Sequence, residues 1–289
     1  MLLNYPDVMI STSSYLKILT EWLDNQISER LITCYNYDEF NILERIGEGA
    51  NAEVHKAEWK NSNTVRTVAL KFMKSLKIFK KFDFHPNVIK FLAVTKGPSH
   101  EYIVILEYAD DGNLLQYLNN NFSSFKWADK LRIAKEIAFG ITFLHEQDII
   151  HRDFHILNIL VHKRKMKIAD FGLSTYGANS NSTNYEIAGI PTFIDPQALN
   201  DSNYVLTKKS DNYGLGVILW VISSCRMPFE NIPKQEIIFH ILQGKREKAI
   251  ENTPLEYINL YKRCWEDDPE SRPNSNKILE DLEHIISIE

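Results

Sequence analysis

Two spacings of apolar residues alternate along this chain. Leu16, Leu19, Leu23, Ile27 and Leu31 recur at three- and four-residue steps with Trp22 beside them, which predicts an amphipathic helix over Ser13–Leu31 capped by Ser13 or Ser14. From Phe40 to Phe72 the pattern predicts three strands, and Val88–Val94 and Tyr102–Glu107 predict two more around the Lys96-Gly97-Pro98 turn. Helical spacing returns at Leu114–Leu118 and over Trp127–His145, where Leu131, Ala134, Ile137, Ala138, Ile141 and Leu144 share a stripe. Ile149-Ile150, Ile159–Val161 and Met166–Ala169 read as short strands, the last two joined by a basic turn, His162–Lys165. Ser210–Trp220 reads as a buried helix, and Lys277–Ile286 as a closing amphipathic one.

The stretch Ile149–Gly172 carries the candidate chemistry. Its short strands would project Asp153, Asn158 and Asp170 from adjacent loop ends. Two acids and an amide supply the hard oxygens that a metal–phosphate site needs beside a base. His151-Arg152-Asp153 with Asn158 five positions later, followed by Asp170-Phe171-Gly172, resembles the catalytic loop and the magnesium-binding loop of eukaryotic protein kinases.

That resemblance implies an α+β, bilobal protein kinase fold with a small mostly-β N-lobe and a larger α-helical C-lobe. It divides the chain into an N-terminal extension with the amphipathic helix (1–37), an N-lobe (38–109) and a C-lobe (110–289). It also assigns roles. Ile46-Gly47-Glu48-Gly49-Ala50-Asn51-Ala52-Glu53-Val54 resembles the glycine-rich loop, with Ala52 in place of the third glycine. Gly47 and Gly49 would let the backbone approach phosphates that side chains would block. Val68-Ala69-Leu70-Lys71 resembles the strand whose lysine holds the α- and β-phosphates, and Glu107-Tyr108-Ala109 the hinge that bonds adenine behind Leu106. ATP would then contact Ile46, Gly47, Gly49, Val54, Ala69, Lys71, Glu107 and Ala109. Asn158 and Asp170 would hold Mg2+, and Asp153 would orient the substrate hydroxyl and accept its proton. In general texture the chain resembles the fungal tyrosine kinase-like enzymes.

Three departures qualify the likeness. Only 13 residues, Phe72–Phe84, precede His85-Pro86-Asn87, too few for a helix of about 11–12 residues plus two connections. They contain no glutamate to pair with Lys71; a skipped exon would leave the same gap. His155 and Leu157 occupy the two positions where such enzymes carry a catalytic-loop cation, a loss comparable to removing one electrostatic donor, about 10²–10³ in rate. Finally, Asp195-Pro196-Gln197 stands where the family has an alanine, a proline and a glutamate, so that Gln197 would bond Arg272 without charge assistance. Asp211 would accept bonds from the catalytic-loop backbone. The hydroxyl-rich stretch Leu173–Thr192 suggests a phosphorylated loop, with Ser182 or Thr183 as the acceptor.

Composition narrows the setting. Of 289 residues, 44% are hydrophobic and 25% charged, enough for a sizeable core. A net charge of -5 argues against non-specific nucleic-acid binding. Cys34, Cys225 and Cys264 are far apart and read as buried free thiols in a reducing compartment. The first residues lack the basic and apolar regions of a signal peptide, and Val217–Ile222, the longest apolar run, falls well short of about 20 residues. The expectation is therefore a cytoplasmic or nuclear kinase, not inserted in membranes. It transfers the ATP γ-phosphate to serine or threonine of a protein substrate. The alternative is a pseudokinase, motivated by the missing glutamate and cation. The helix over Ser13–Leu31 would pack on the domain's own surface or meet a signalling partner.

Overall fold

The alternation expected from Phe40 onward forms a six-stranded sheet in the computed structural model, which describes residues 12–49, 52–61, 64–73, 85–176 and 189–289. The chain divides into two compact units, Met1–His85 with Ile89–Asp110, and Pro86–Val88 with Asp111–Glu289.

The first unit is the mostly-β one. After helix α1 (Thr12–Ser28) come β1 (Cys34–Tyr35), β2 (Phe40–Gly49), β3 (Ala52–Asn61), β4 (Thr64–Met73), β5 (Phe91–Lys96) and β6 (Tyr102–Glu107). In space their order is β1-β5-β6-β4-β3-β2, with β1 parallel to β5 and the other pairs antiparallel. Period-two alternation sorts the side chains onto two faces. Ala57, Trp59, Val68, Leu70, Ile103 and Ile105 build a core on one. Val94, Tyr102 and Val104 build a second with Leu23 and Ile32. The amphipathic helix therefore packs on its own chain, and Leu23 is fully buried there. Burying such a side chain contributes about 1.5–3 kcal/mol.

Strand β5 starts later than the apolar run Val88–Val94 suggests. Asn87 donates its side-chain amide to the Met166 carbonyl at 2.8 Å and accepts from the Ile168 amide at 2.8 Å. These bonds draw Val88 into a parallel bridge with Ile168, in the second unit.

The second unit is built on helices α2 (Leu114–Asn121), α3 (Trp127–Glu146), α4 (Pro196–Asn200), α5 (Lys208–Ser224), α6 (Lys234–Leu242), α7 (Leu255–Cys264) and α8 (Ser275–Ile288). Strands β7 (Ile149–Ile150), β8 (Ile159–His162), β9 (Lys165–Ile168) and β10 (Thr175–Tyr176) form two small sheets, β7 with β10 and β8 with β9. Asn113 and Thr207 cap α2 and α5, each reciprocated by a polar residue in the first turn. Every residue of α5 from Ser210 to Ser223 is buried, the apolar run Leu215–Ile222 in the core and Asp211 within hydrogen bonds. It passes so close to the loop after β7 that a Cβ at Gly214 would lie 2.4 Å from the Phe154 carbonyl oxygen. Gly214→Ala is expected to destabilise the chain by about 1–3 kcal/mol through overpacking, read from denaturant unfolding. Unchanged stability would show that the loop yields at no cost.

One expectation changes at the residue level. Of the cysteines, Cys264 alone is buried, whereas Cys34 is exposed and Cys225 half-exposed. Cys34 sits on the edge strand β1, where alternate side chains face solvent. The short segment 74–84 and the candidate acceptors Ser182 and Thr183 lie outside the described residues.

Candidate active site

In the first unit, register gathers the nucleotide candidates. Val54 pairs with Lys71, Lys71 with Val104, and Ala69 with Leu106, so Val54, Ala69 and Lys71 share one face of the sheet. Ala69 and Lys71 are buried, the lysine only 6% exposed. Gly47 stands opposite Val54 at a register shift in β2, and Gly49 opposite Ala52 at the end of the β2–β3 pairing. Ile46, between the paired residues Arg45 and Gly47, is exposed. Glu107 closes β6 and is tied at both ends to Lys90. Its amide donates to the Lys90 carbonyl at 2.9 Å, and its carboxylate accepts from the Lys90 amide at 2.8 Å. Ala109 follows two residues beyond the strand.

In the second unit, one buried carboxylate holds the loop that carries Asp153. Asp211, on α5, accepts from the His151 amide at 2.8 Å and the Arg152 amide at 3.0 Å. It also pairs with His145 Nε2 at 2.9 Å, and His145 Nδ1 meets Ser275 Oγ at 3.1 Å. This is the backbone contact expected of Asp211. Arg152 is thereby held at φ 68°, a left-handed conformation that costs about 1–3 kcal/mol and persists where its surroundings dictate it. His151 is fully buried, and burial pushes its pKa down against the charges of Asp211, Asp153 and Asp170. Neutral His151 can donate from Nε2 to the Ala169 carbonyl at 3.0 Å while Nδ1 accepts from the Asp153 amide at 3.3 Å.

Asp153 itself is clasped from two sides. Asn158 Nδ2 donates to its carbonyl at 2.9 Å and its carboxylate at 3.1 Å, and His155 Nε2 lies 3.2 Å from Oδ1. Burial alone would raise the Asp153 pKa. The hydrogen bond from His155, with lesser help from the two neighbouring imidazoles and the Asn158 amide, outweighs it and leaves the carboxylate below its ordinary range. Gly189, at φ 119°, completes the surround. A Cβ there would stand 3.0 Å from Asp153 Oδ1.

The hairpin β8–β9 sets Asp170 beside this loop. Lys163 and Arg164 both have positive φ, the turn whose twist matches that of paired strands. The Arg164 amide bonds Asp111 at 3.1 Å, and its carbonyl accepts from Arg132 at 3.0 Å, which fastens that turn. At the other end the Ala169 amide bonds the Asn158 carbonyl at 2.8 Å. Asp170 follows in the left-handed region at φ 62°, exposed, with Oδ1 accepting from the Gly172 amide at 3.2 Å. Phe171 turns inward, 5.3 Å from the His151 ring. The donor set suits a hard divalent cation. Asn158 spends its NH2 on Asp153, so its amide oxygen remains the acceptor, and Asp170 offers an exposed carboxylate.

One expected tie is made by a different residue. Arg272 pairs with Asp195, not Gln197, through two parallel bonds of 2.8 and 2.9 Å. The carbonyls of Glu266, Lys209 and Asp267 take its three other N–H groups. Gln197 instead donates to the Asp267 carbonyl at 3.0 Å. Alignment by motif position pointed to Gln197. The physical signal was the carboxylate, since a buried guanidinium needs a counter-charge and Asp195 is the one acid between Gly189 and Asn200.

The chain is similar to known proteins over most of its length. Residues 40–282 match the family model described as protein tyrosine and serine/threonine kinase. A putative serine/threonine-protein kinase/receptor of Acanthamoeba polyphaga mimivirus is 31% identical over 87% of this chain, which covers 16% of that relative. The probable serine/threonine-protein kinase drkA of Dictyostelium discoideum is 31% identical over 86% of the chain, covering 40% of the relative. Tyrosine-protein kinase Fer of Mus musculus is 28% identical over 86% of the chain, covering 31% of it. The chain thus spans less than half the length of each of these relatives. With the family match running through both units, from the β2–β3 hairpin to α8, the chain belongs to the protein tyrosine and serine/threonine kinase family.

Proposed function

We propose that this chain transfers the γ-phosphate of ATP to a serine or threonine hydroxyl of a protein substrate. The observation that carries the reading is the clasped, ionised Asp153 on a loop suspended from Asp211. In this reading Asp153 accepts the proton as the substrate oxygen bonds the γ-phosphorus, the bond to the bridging oxygen breaks and ADP leaves. Lys71 binds the α- and β-phosphates. Ile46, Gly47, Gly49, Val54 and Ala69 cover the nucleotide, and the Glu107 and Ala109 backbone bonds adenine. Asn158 and Asp170 hold Mg2+, which when bound neutralises phosphate charge. His155 takes the place of the usual cation and orients Asp153.

The preference for serine or threonine follows the names of two of the relatives compared above, and the third is a tyrosine kinase. Hydrolysis of labelled autophosphorylated chain and separation of its phosphoamino acids tests it. Phosphoserine or phosphothreonine is the expected product, and phosphotyrosine alone would refute it. Among the described residues no helix is long and apolar enough to cross a membrane. The exposed free thiol of Cys34 fits a reducing compartment, so we assign the activity to the cytoplasm or nucleus.

A further inference from the structure

The family match begins at residue 40, yet the segment before it is built into the sheet. Strand β1 adds to the edge of β5, pairing Cys34 with Val94 and Tyr35 with Thr95. On one face Tyr35 meets Trp59 edge-on, with ring centroids 4.6 Å apart. On the other, α1 lies over the second core. Leu23 is fully buried against a cluster that includes Val94 and Val104. Val104 is the direct cross-strand neighbour of Lys71 and shares its face. So the helix from before the family region closes the face that presents Lys71. A polar clamp fixes its exposed rim. Tyr102 donates its hydroxyl to Asp24 at 2.5 Å, and Lys96 donates to the same oxygen at 2.9 Å. Burial and the Asp24 bond push the Tyr102 hydroxyl up to about 12, so it remains a donor at neutral pH.

Val94, Val104 and Leu106 lie on the face that α1 covers. The link back to the sheet is short, five residues from Glu29 to Thr33, and is itself bonded. The Leu31 and Ile32 amides donate to Gln26, and Thr33 accepts from Val94 at 3.1 Å.

We propose that α1 is the element that positions Lys71 for nucleotide binding, with Leu23 and Asp24 as positioning residues supplied from outside the family region. The inference rests on the kinase reading. A helix that only stabilised the fold would lower melting temperature and leave the affinity of folded protein for Mg·ATP unchanged. A positioning helix acts on affinity through Lys71.

The test uses the full chain and Mg·ATP binding measured by calorimetry, at a temperature where each variant is folded by circular dichroism. Leu23→Ala is expected to weaken binding about tenfold. Leu23→Met, similar in volume, should restore it. Leu282→Ala, a fully buried site in α8 of the other unit, should bind as the unmutated chain does. Combined with Lys71→Met, Leu23→Ala should add no further loss, because both act through one side chain. Should Leu23→Ala fail to fold, the exposed Asp24→Ala should show a smaller loss with the same lack of additivity. Unchanged affinity in the variant that folds, or losses that add to that of Lys71→Met, would overturn the proposal. If the unmutated chain binds no Mg·ATP, the kinase reading and this inference fall together. If it binds and transfers phosphate while the α1 variants bind normally, this inference alone fails.

Discussion

Asp195→Ala is expected to destabilise the second unit by about 3–5 kcal/mol. Both partners of the Asp195–Arg272 pair are fully removed from solvent. Removing the acid leaves a guanidinium with carbonyl acceptors but no counter-charge. It also strands the Ser210 hydroxyl, which donates to Asp195 at 2.8 Å, and the Gln197 amide, which donates to it at 3.0 Å. Charge is the main cause, so Asp195→Asn should recover only part of the loss. Gln197→Ala breaks one bond at a half-buried site and should stay within about 0.5 kcal/mol of wild type. Urea unfolding of the three variants separates the readings. Equal losses for Asp195→Ala and Gln197→Ala would refute the assignment of Asp195 as the tie.

Asp153→Asn should lower phosphoryl transfer by about 10²–10⁴, the usual share of a positioned base, with Mg·ATP affinity and fold intact. Asparagine is nearly isosteric and can keep the contacts with Asn158 and His155, but it cannot take the substrate proton. The sign of the pKa shift fixes the acid side of the pH profile. His155 and Asn158 outweigh burial and hold the folded-state pKa below its ordinary value, so the base stays ionised to lower pH than a free aspartate and activity on the acid side is lost correspondingly later. An Asn variant retaining wild-type turnover would assign the proton to another group.

Much of this architecture was legible because local chemistry and tertiary demand agree. The Ile149–Gly172 stretch declares its short strands, its turn and its three polar groups in one reading, since its apolar runs have no alternative but the core. The α1 stripe likewise foretold a buried face, although periodicity alone could not say which surface receives Leu23. That depends on β-sheet register 70 residues and more along the chain, at Val94 and Val104. The start of β5 is hidden from the sequence for a similar reason. Val88 is as good a strand former as Val94, and only the long-range bonds of Asn87 to β9 draw it away. Motif position points to Gln197, whereas the electrostatic need of a buried arginine points to Asp195. Residue type alone predicts buried cysteines, and an edge strand such as β1 defeats that rule by exposing alternate side chains.

The same physics limits what the departures from the family pattern mean. Replacing a catalytic-loop lysine by His155 removes a charge but keeps a donor 3.2 Å from Asp153. The segment Phe72–Phe84 carries no glutamate, and Lys71 is buried on a face that α1 covers. Neither change removes a group that accepts the proton or offers oxygen to a metal.

The most direct test is transfer of label from γ-labelled ATP with Mg2+ to the chain itself and to a generic protein substrate, beside Asp153→Asn. The expected result is incorporation that requires Mg2+ and disappears in the variant. ATP-dependent thermal stabilisation of the unmutated chain without any incorporated label would contradict the account and make this a nucleotide-binding pseudokinase.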